Sequence, residues 1–347
     1  MIPGSRPLTT ERDWAEIGDT PRRIRSVPAT VRYLTPWELS AGVNGALATL
    51  RFDATSTTAA ASVMPLEPLG EVAAEVWESS LTARHFSRDG LNLSANDQLL
   101  FAAAVVPVER TAIDTLARQT YLRLFGAIRE AGFPHPLRIW NHVPAINAHC
   151  EGLEQYRRFS VGRFEALTDL GFRFDDDLPA ASAIGTGSDL FAVYLVAARE
   201  PGLQIENPRQ VSAFRYPDRY GPRSPSFSRA TLKRWATGSF QLFVAGTASI
   251  VGHESRHQGE LLTQLDETLR NLDLVISEAG RRLDRPLGLS DASALKVYLR
   301  HGEDYEAASR SLAPRIAANA SVIYLRADIC RRELLLEIEA YVEGDEN

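Results

Sequence analysis

A weak internal repeat is the feature that most restricts how this chain of 347 residues can fold. Two copies come into register when their EAG triplets, at 130–132 and 278–280, are superimposed. In each copy a strand-like apolar run and a polar loop precede a long amphipathic helix; a strand, a second helical segment and further strands follow. The order strand, long helix, strand, helix, strands therefore occurs twice, which predicts an α+β fold built from two similar units.

Glycines and prolines indicate the boundaries of these units. Gly132 and Gly280 stand at the ends of the two long helical patterns, so both are predicted to stop a helix. A connector with four prolines, 206–230, joins the copies, and its prolines exclude a long helix. The predicted organisation is an N-terminal extension, a first unit with the connector, and a C-terminal unit, at residues 1–34, 35–228 and 229–347.

Charge and cysteine content restrict the classes of partner. The net charge is −6 and the isoelectric point is near 5.7, so neither nucleic acid nor an anionic membrane is an expected partner. An anionic ligand would need a local arginine cluster. Two cysteines, Cys150 and Cys330, are too few for a disulfide framework or a thiolate metal site. Because the chain also lacks a signal-peptide core and an apolar run of roughly 20 residues, we expect a cytoplasmic protein.

One short motif suggests a metal site. His253, Glu254 and His257 match the H-E-x-x-H pattern, which on a helix places two imidazoles on zinc beside a glutamate base. Gly252 and Gly259 flank the motif, however, so the segment is predicted to be a turn or a poorly formed helix start. In a turn, histidines four residues apart do not share a face. A zinc peptidase therefore stays a less favoured hypothesis beside a polar loop at the mouth of a cleft.

The segment 152–163 is predicted to be a helix that carries a candidate binding face. Tyr156 and Arg163 are seven residues apart, which is two helical turns, so they lie on the same face. Arg157 and Arg158 point elsewhere and are predicted to face solvent.

Tyr216 and Arg229 lie in the proline-rich connector, which could place both over a cleft between the copies. From the residues alone, each is predicted to be a surface or interface residue.

The last strand-like segment, RRELLLEIEAYV, contains three glutamates. Strand alternation puts Glu333, Leu335, Glu337 and Glu339 on one face. One interpretation is that these glutamates face water on a half-buried strand. The other is that Glu337 projects into a partly apolar cleft, where burial and the neighbouring Glu339 raise its pKa.

Three short motifs of the C-terminal unit, TLRNL, KVYLR and EIEA, resemble the Rid (reactive intermediate deaminase) fold, whose trimers have clefts between protomers. Longer motifs are spread over the whole chain: RIWNHVPAIN, GLEQYRRFSVGR, ENPRQVSAFRYP, YGPRSPSFSRA and GTASIVGHES, at 138–147, 152–163, 206–217, 220–230 and 246–255. Through these motifs the chain from about residue 30 resembles the chorismatase family. The resemblance implies an α+β fold of two Rid-like (chorismate-mutase-like) α/β repeats, each a mixed sheet packed on helices, with the active-site cleft at their interface.

The resemblance also implies an activity and residue roles. Chorismatases remove pyruvate from chorismate, a cyclohexadiene with a ring carboxylate and an enolpyruvyl ether, and the similarity implies no cofactor and no metal. Glu337 is the implied acid that protonates the enolpyruvyl methylene. The implied substrate clamp consists of Tyr156, Arg163, Tyr216 and Arg229, because arginine forks match carboxylates.

The resemblance leaves two possible products of chorismate cleavage. The benzoate-forming type of the family has a glycine and a cysteine near the site, and Gly252 and Cys330 are the implied counterparts. This favours 3-hydroxybenzoate over hydrolysis to 3,4-dihydroxycyclohexa-1,5-diene carboxylate. A non-catalytic Rid-like binding protein stays open as an alternative, and the chain is compatible with a monomer or a homo-oligomer.

Overall fold

Three sheets enclose the centre of the molecule. The computed structural model describes residues 27–43, 45–52, 61–109 and 111–346. These residues form sheets of four, six and seven strands and two short two-stranded hairpins.

The first sheet is built from the N-terminal part of the chain, where the sequence indicated no secondary structure. Its strands are ordered β1-β5-β2-β3, while β4 joins the C-terminal sheet. Residues 27–34, which we assigned to the N-terminal extension, include β1, and the rest of the predicted extension, 1–26, lies outside the described residues. The elements are β1 (Thr30–Leu34), α1 (Pro36–Ser40), β2 (Ala46–Arg51), β3 (Ala61–Val63), β4 (Glu67–Leu69) and β5 (Ala74–Glu78).

The second sheet belongs to the first repeat and has the order β12-β9-β13-β8-β7-β6. Its long helix, α2, ends at Glu130, and Gly132 follows with a φ of +83°, so the predicted stop is confirmed. The elements are β6 (Arg84–Arg88), β7 (Leu91–Ala95), β8 (Leu99–Pro107), α2 (Ile113–Glu130), β9 (His135–Pro144), β10 (His149–Cys150), β11 (Leu153–Glu154), α3 (Gln155–Asp169), β12 (Ala180–Thr186) and β13 (Leu190–Ala198).

The third sheet belongs to the second repeat and has the order β14-β15-β16-β21-β19-β20-β4. Its long helix, α4, continues to Arg282, so the predicted stop at Gly280 was wrong. Gly280 is instead a close-packing position, because a side chain there would collide with the backbone of Arg285. The elements are β14 (Leu203–Ile205), β15 (Ala230–Arg234), β16 (Ser239–Thr247), β17 (Ile250–Val251), β18 (Glu254–Ser255), α4 (Leu261–Arg282), β19 (Ala292–Leu299), α5 (Tyr305–Leu312), β20 (Ser321–Arg326) and β21 (Leu336–Asp345).

The strand order confirms the duplication and the predicted fold class. The run β7-β8-β13-β9-β12 in the first repeat matches β15-β16-β21-β19-β20 in the second, and the last pair in each run is parallel. Val196 of β13 lies opposite Phe101, and Tyr341 of β21 lies opposite Phe243. With Phe101 and Phe243 taken as equivalent positions, Val196 corresponds to Tyr341, and four residues earlier on each strand Ala192 corresponds to Glu337.

The core has three parts. One apolar cluster fills the space between the three sheets and includes Trp77, Trp140 and Phe243. A second lies between the middle sheet and helices α2 and α3, and a third lies between the C-terminal sheet and helices α4 and α5. The inner faces of the sheets also carry buried polar and charged side chains, so the centre of the molecule contains ionisable groups as well as apolar ones.

Candidate active site

A cavity of about 290 Å³ opens between the two repeats. Helix α3, strand β12 and the proline-rich connector form one side, while β16 and the segment that leads into β21 form the other. Its lining contains both polar and apolar groups, as a small-molecule site requires. The lining residues used below are Tyr156, Arg157, Arg163, Ser182, Tyr216, Tyr220, Phe227, Arg229, Gly246, Cys330, Arg331, Glu333 and Glu337.

Glu337 projects into this cavity from the second residue of β21. Burial and, second, the charge of Glu339 raise its pKa to about 8, although Arg138 and Arg229 act in the opposite direction. The interpretation in which these glutamates face water was wrong for Glu337 and Glu339, because they are only 4 and 5% exposed. Glu337 therefore carries a proton at neutral pH and can donate it.

Arg163 is a buried cation that pairs with no carboxylate in the described part of the chain. Its side chain is 1% exposed, and its three guanidinium nitrogens form no hydrogen bond within the described part of the chain. The nearby hydroxyl of Tyr121 donates to Asn141 Oδ1 at 2.8 Å. Because a buried charge is costly unless it is paired, this arrangement indicates a site for an anionic group that arrives from outside.

Aromatic rings hold this guanidinium in position. Its central carbon lies 4.9 Å from the ring centre of Phe159 and 5.7 Å from that of Phe227. Tyr156 lines the cavity from the same helix, and burial raises the pKa of its hydroxyl, which therefore stays a hydrogen-bond donor. The structure thus places Tyr156 and Arg163 on one face of α3, as the helical spacing predicted.

Arg229 and Tyr216 meet across the connector. Arg229 Nη2 donates to the hydroxyl of Tyr216 at 2.8 Å and to the carbonyl of Val211 at 3.0 Å. The Nε atom of Arg229 is buried and forms no hydrogen bond to a described residue. Both side chains line the cavity, so the structure brings together all four residues of the expected clamp.

The two other arginines of helix α3 differ from each other. Arg158 turns away and pairs with Asp114 at 3.2 Å and Glu151 at 2.7 Å. Arg157 reaches the cavity, where its side chain is 39% exposed and lies 3.5 Å from Glu154. The expectation that both point away from the site was therefore wrong for Arg157, and the expectation that both face solvent was wrong for Arg158, whose side chain is only 14% exposed.

Sequence reasoning missed Arg331, which follows Cys330 in the cavity wall. Its guanidinium lies 4.3 Å from the ring centre of Tyr220 and donates to the carbonyl of His253 at 2.9 Å. The only sequence signal was its place beside Cys330 and near Glu337. Because its charge faces the same space as Arg163 and Arg229, the cavity is rich in cations although the chain is acidic.

The glycine that borders the acid is Gly246. A side chain at Gly246 would collide with Glu337 Oε1 and approach Ser182 Oγ to 2.8 Å. Gly252 is not among the cavity-lining residues, and a methyl group there would meet nothing within 4 Å. Its φ of +61° gives a separate, conformational reason for glycine at that position.

Comparison with known proteins identifies the family. Residues 75–197 match the family model described as chorismatase FkbO/Hyg5-like, N-terminal. The chain is 40% identical over 283 residues to a 3-hydroxybenzoate synthase of Streptomyces hygroscopicus, an alignment that covers 79% of this chain and 83% of the relative. The chain belongs to the chorismatase family.

Other members of the chorismatase family support this assignment. A chorismatase of Streptomyces rapamycinicus is 41% identical over 276 residues, which cover 78% of this chain and 82% of that protein. A chorismatase crystal structure superimposes with a TM-score of 0.81 at 32% identity and covers 90% of this chain and 98% of its own. The arrangement of repeats described above is therefore a chorismatase fold.

In this member of the chorismatase family the H-E-x-x-H segment is a hairpin and a turn. His253 lies between β17 and β18, and His257 has a φ of +56° before α4 begins. The prediction of a turn is confirmed, and the two imidazoles do not share a helical face. His253 Nδ1 lies 3.1 Å from the hydroxyl of Tyr220, whereas His257 Nε2 lies 3.7 Å from Glu267. Residues 27–43, 45–52, 61–109 and 111–346 contain no group of three histidine, cysteine or acidic side chains arranged to hold a metal ion.

The hairpin has a defined role in this chorismatase cavity. The carbonyl of His253 accepts hydrogen bonds from the Tyr220 hydroxyl at 2.7 Å and from Arg331. The segment therefore supports two side chains of the cavity wall through its backbone.

Within the described ranges, no helix combines the length and apolar character needed to cross a membrane.

Proposed function

We propose that this chain is an enzyme that removes pyruvate from chorismate and forms 3-hydroxybenzoate. The observation that carries the proposal is the pairing, in one cavity, of the unpartnered cation Arg163 with the protonated acid Glu337. A dianionic enol ether needs these two groups, one to hold a carboxylate and one to donate a proton. The name chorismatase of one similar protein supports the substrate, and the name 3-hydroxybenzoate synthase of another supports the product.

In this proposal the arginines hold the two carboxylates of chorismate. Arg163 and Arg229 retain buried nitrogen atoms without hydrogen-bond partners, and the open donor directions are available to substrate oxygens. Tyr156 and Tyr216 add hydroxyl groups on the same wall. Because the donors are fixed before the substrate arrives, little energy is spent on reorganising them, so they orient the enol ether toward Glu337.

The chemical step begins with proton transfer. Glu337 donates its proton to the terminal methylene of the enolpyruvyl group, which becomes a methyl group, and the positive charge develops on the ether carbon and oxygen. The two candidate routes diverge from this cation. The resulting carboxylate of Glu337 is the base for the second half of the reaction.

The second half differs between the two candidate products. On the benzoate route, the oxygen of the neighbouring ring hydroxyl bonds to the ring carbon that carries the ether and gives its proton to Glu337. The bond from that ring carbon to the ether oxygen breaks, its electron pair goes to the ether oxygen, and pyruvate departs. Opening of the resulting three-membered ring and loss of a ring proton then produce the phenol. On the hydrolytic route, water attacks the ether carbon and one water proton goes to Glu337. The bond between the ether carbon and the ether oxygen then breaks, the other proton goes to that oxygen, and pyruvate and the diol separate. Only the second route consumes water.

We assign control of this choice to Gly246 and Cys330, with Gly246 taking the place expected for Gly252. Gly246 leaves room beside Glu337, and Cys330 lines the cavity seven residues earlier in the chain. Burial, followed by the charge of Glu337, raises the pKa of the Cys330 thiol to about 12, so it stays a neutral, small side chain. The name of the 40% identical relative favours 3-hydroxybenzoate.

The direct test is incubation of the purified chain with chorismate, with separate measurement of pyruvate and of the aromatic product. We expect equal amounts of pyruvate and 3-hydroxybenzoate, and no incorporation of ¹⁸O from labelled water into the benzoate. A product heavier by one water identifies the hydrolytic route instead. Ligand-dependent thermal stabilisation without pyruvate would indicate a binding protein, and stoichiometric zinc lost on changing His253 or His257 would revive the peptidase hypothesis.

The activity should decline at alkaline pH because Glu337 must carry its proton. The pKa of Glu337 is raised to about 8, so the free enzyme is active below that pH and loses its acid above it. We expect kcat/KM for chorismate to be level near neutrality and to fall about tenfold for each pH unit beyond the pKa. Initial rates of pyruvate release across a pH series measure this fall, which is the alkaline limb of the pH profile. A decline centred near the ordinary glutamate pKa, or a rise with pH, would contradict the assigned role.

Substitution Gly246→Ala should disturb the acid. The added methyl group would occupy the space of Glu337 Oε1, so the carboxyl must move. We expect pyruvate release to fall about 100-fold, the usual cost of misplacing a catalytic group by about 1 Å, and the share of hydrolytic product to change. Gly252→Ala is the matched control, because it lies outside the cavity and strains only a left-handed backbone position. An unchanged rate and product ratio in Gly246→Ala would exclude this role.

A further inference from the structure

A chain of buried ion pairs runs beside the acid on the inner faces of all three sheets. Arg138 of β9 lies 2.9 Å from Glu339 of β21, and Lys296 of β19 lies 3.8 Å from the same carboxylate. The chain ends at Glu75 of β5, which is 2.5 Å from Lys296. All four side chains are at most 6% exposed.

Glu339 is held as a carboxylate. Trp140 Nε1 donates to it at 2.7 Å and the Tyr298 hydroxyl donates at 3.1 Å. Burial alone would raise the pKa of Glu339, but Arg138, Lys296 and hydrogen bonds from Ser182 and Trp140 outweigh it and lower that pKa. Glu339 is therefore the ionised neighbour of a protonated Glu337.

The charges of the ion-pair chain sum to zero. Arg138 and Lys296 supply two positive charges, and Glu75 and Glu339 supply two negative ones. The charge of Arg138 is consequently neutralised by Glu339. Ser182 connects Arg138 to the cavity, because its hydroxyl accepts hydrogen bonds from Arg138 Nη2 and from the Gly246 amide. The network leaves no net positive charge to stabilise an ionised Glu337.

The other groups around Glu337 complete this balance. Arg229 is the second cation that acts on it, but that guanidinium is already bonded to Tyr216 and lies near the buried carboxyl of Glu206. The titratable and charged groups that face Glu337 are Glu339 on its own strand, Tyr298 on β19, Arg138 on β9, Tyr156 and Arg163 on α3, Tyr216 and Arg229 from the connector, and Cys330, Arg331 and Glu333 before β21.

We propose that Glu339 is a positioning residue for the catalytic proton: by occupying Arg138, it deprives Glu337 of a counterion and keeps it in the acid form. The inference rests on the proposed function, because it explains why Glu337, the acid of that reaction, is protonated at neutral pH. On the other side of Glu339, Glu75 neutralises the charge of Lys296. The N-terminal sheet therefore influences the protonation of Glu337 without reaching the cavity.

The test compares three variants by the pH dependence of kcat/KM. In Glu339→Gln the charge is lost and Arg138 becomes a counterion for Glu337, so we expect the alkaline limb to move about 1 to 3 pH units lower. Glu339→Asp retains the charge and should retain the limb even if the rate falls. Glu75→Gln loses a carboxylate one ion pair further away, so it should lose stability and move the limb lower by much less than Glu339→Gln does.

A folded Glu339→Gln enzyme whose limb stays at the wild-type position would overturn the inference. If circular dichroism shows that this variant does not fold, Arg138→Gln replaces it: losing the cation should move the limb upward, and an unchanged or lower limb counts against the proposal. Infrared titration of the Glu337 carboxyl band, identified by its absence in Glu337→Gln, requires no substrate. It therefore separates failure of this inference from failure of the proposed activity.

Discussion

Glu337→Gln should abolish pyruvate release from chorismate. The amide fills the same space but cannot supply the proton that the enolpyruvyl methylene must receive, so we expect the rate to fall by about 10² to 10⁴, the usual contribution of a general acid. The measurement is single-turnover release of pyruvate at neutral pH, with substrate binding followed separately by calorimetry. Chorismate should still bind, because Arg163 and Arg229 are unchanged.

The stability of this variant distinguishes loss of the acid from misfolding. The pKa of Glu337 is raised in the folded chain, so the wild type loses stability as pH rises from the unfolded glutamate value toward about 8. The glutamine variant lacks this loss and should be at least as stable as the wild type at pH 7. Glu333→Gln, which changes another cavity carboxylate, is the control and should remain active. Full activity in Glu337→Gln would remove the assigned role.

Arg163→Met should separate activity from stability. The substitution removes a buried cation but keeps an unbranched side chain between Phe159 and Phe227. Losing a buried charge-assisted contact to a substrate carboxylate costs about 2 to 5 kcal/mol, or roughly 30-fold to several thousandfold in kcat/KM. The melting temperature should rise, because the folded chain no longer carries an unpaired buried charge.

Arg158→Met is the matched control on the same helix. Arg158 pairs with Asp114 and Glu151 outside the cavity, so its loss should cost little stability and leave chorismate turnover unchanged. If Arg163→Met instead retained activity and lost stability, Arg163 would be a structural cation, and the carboxylate clamp would have to be assigned elsewhere.

Local patterns predicted the parts of the fold that depend on local periodicity. The amphipathic spacing of α2 and α4 and the strands that flank them are where the repeat indicated, because one buried face suffices to specify such elements. Alternation was less reliable at the last strand. β21 begins only at Leu336, and both of its faces are buried, so Glu333 is not part of the face that carries Glu337 and Glu339.

The family resemblance indicated which residues belong to one site. It did not indicate the neighbours of these residues, which depend on contacts between distant segments of the chain. Gly246 matters because a particular carboxylate lies next to it, which no spacing in the sequence reveals. Arg331 faces the cavity because the His253 hairpin supports it from 78 residues away. The ion pair between Lys296 and Glu75 joins two sheets that the sequence reading did not relate.

The correspondence between Ala192 and Glu337 has a consequence for how the duplicated fold works. A trimer of identical subunits repeats every group in every cleft. Here the two copies are covalently joined and differ at this position, since Ala192 in one copy stands where the other has Glu337, the proposed proton donor. The first copy places Arg163 in the cavity and the second places Glu337 there, so under the proposed mechanism the two copies hold different roles in one reaction. Each copy can then change in sequence without disturbing a symmetry mate.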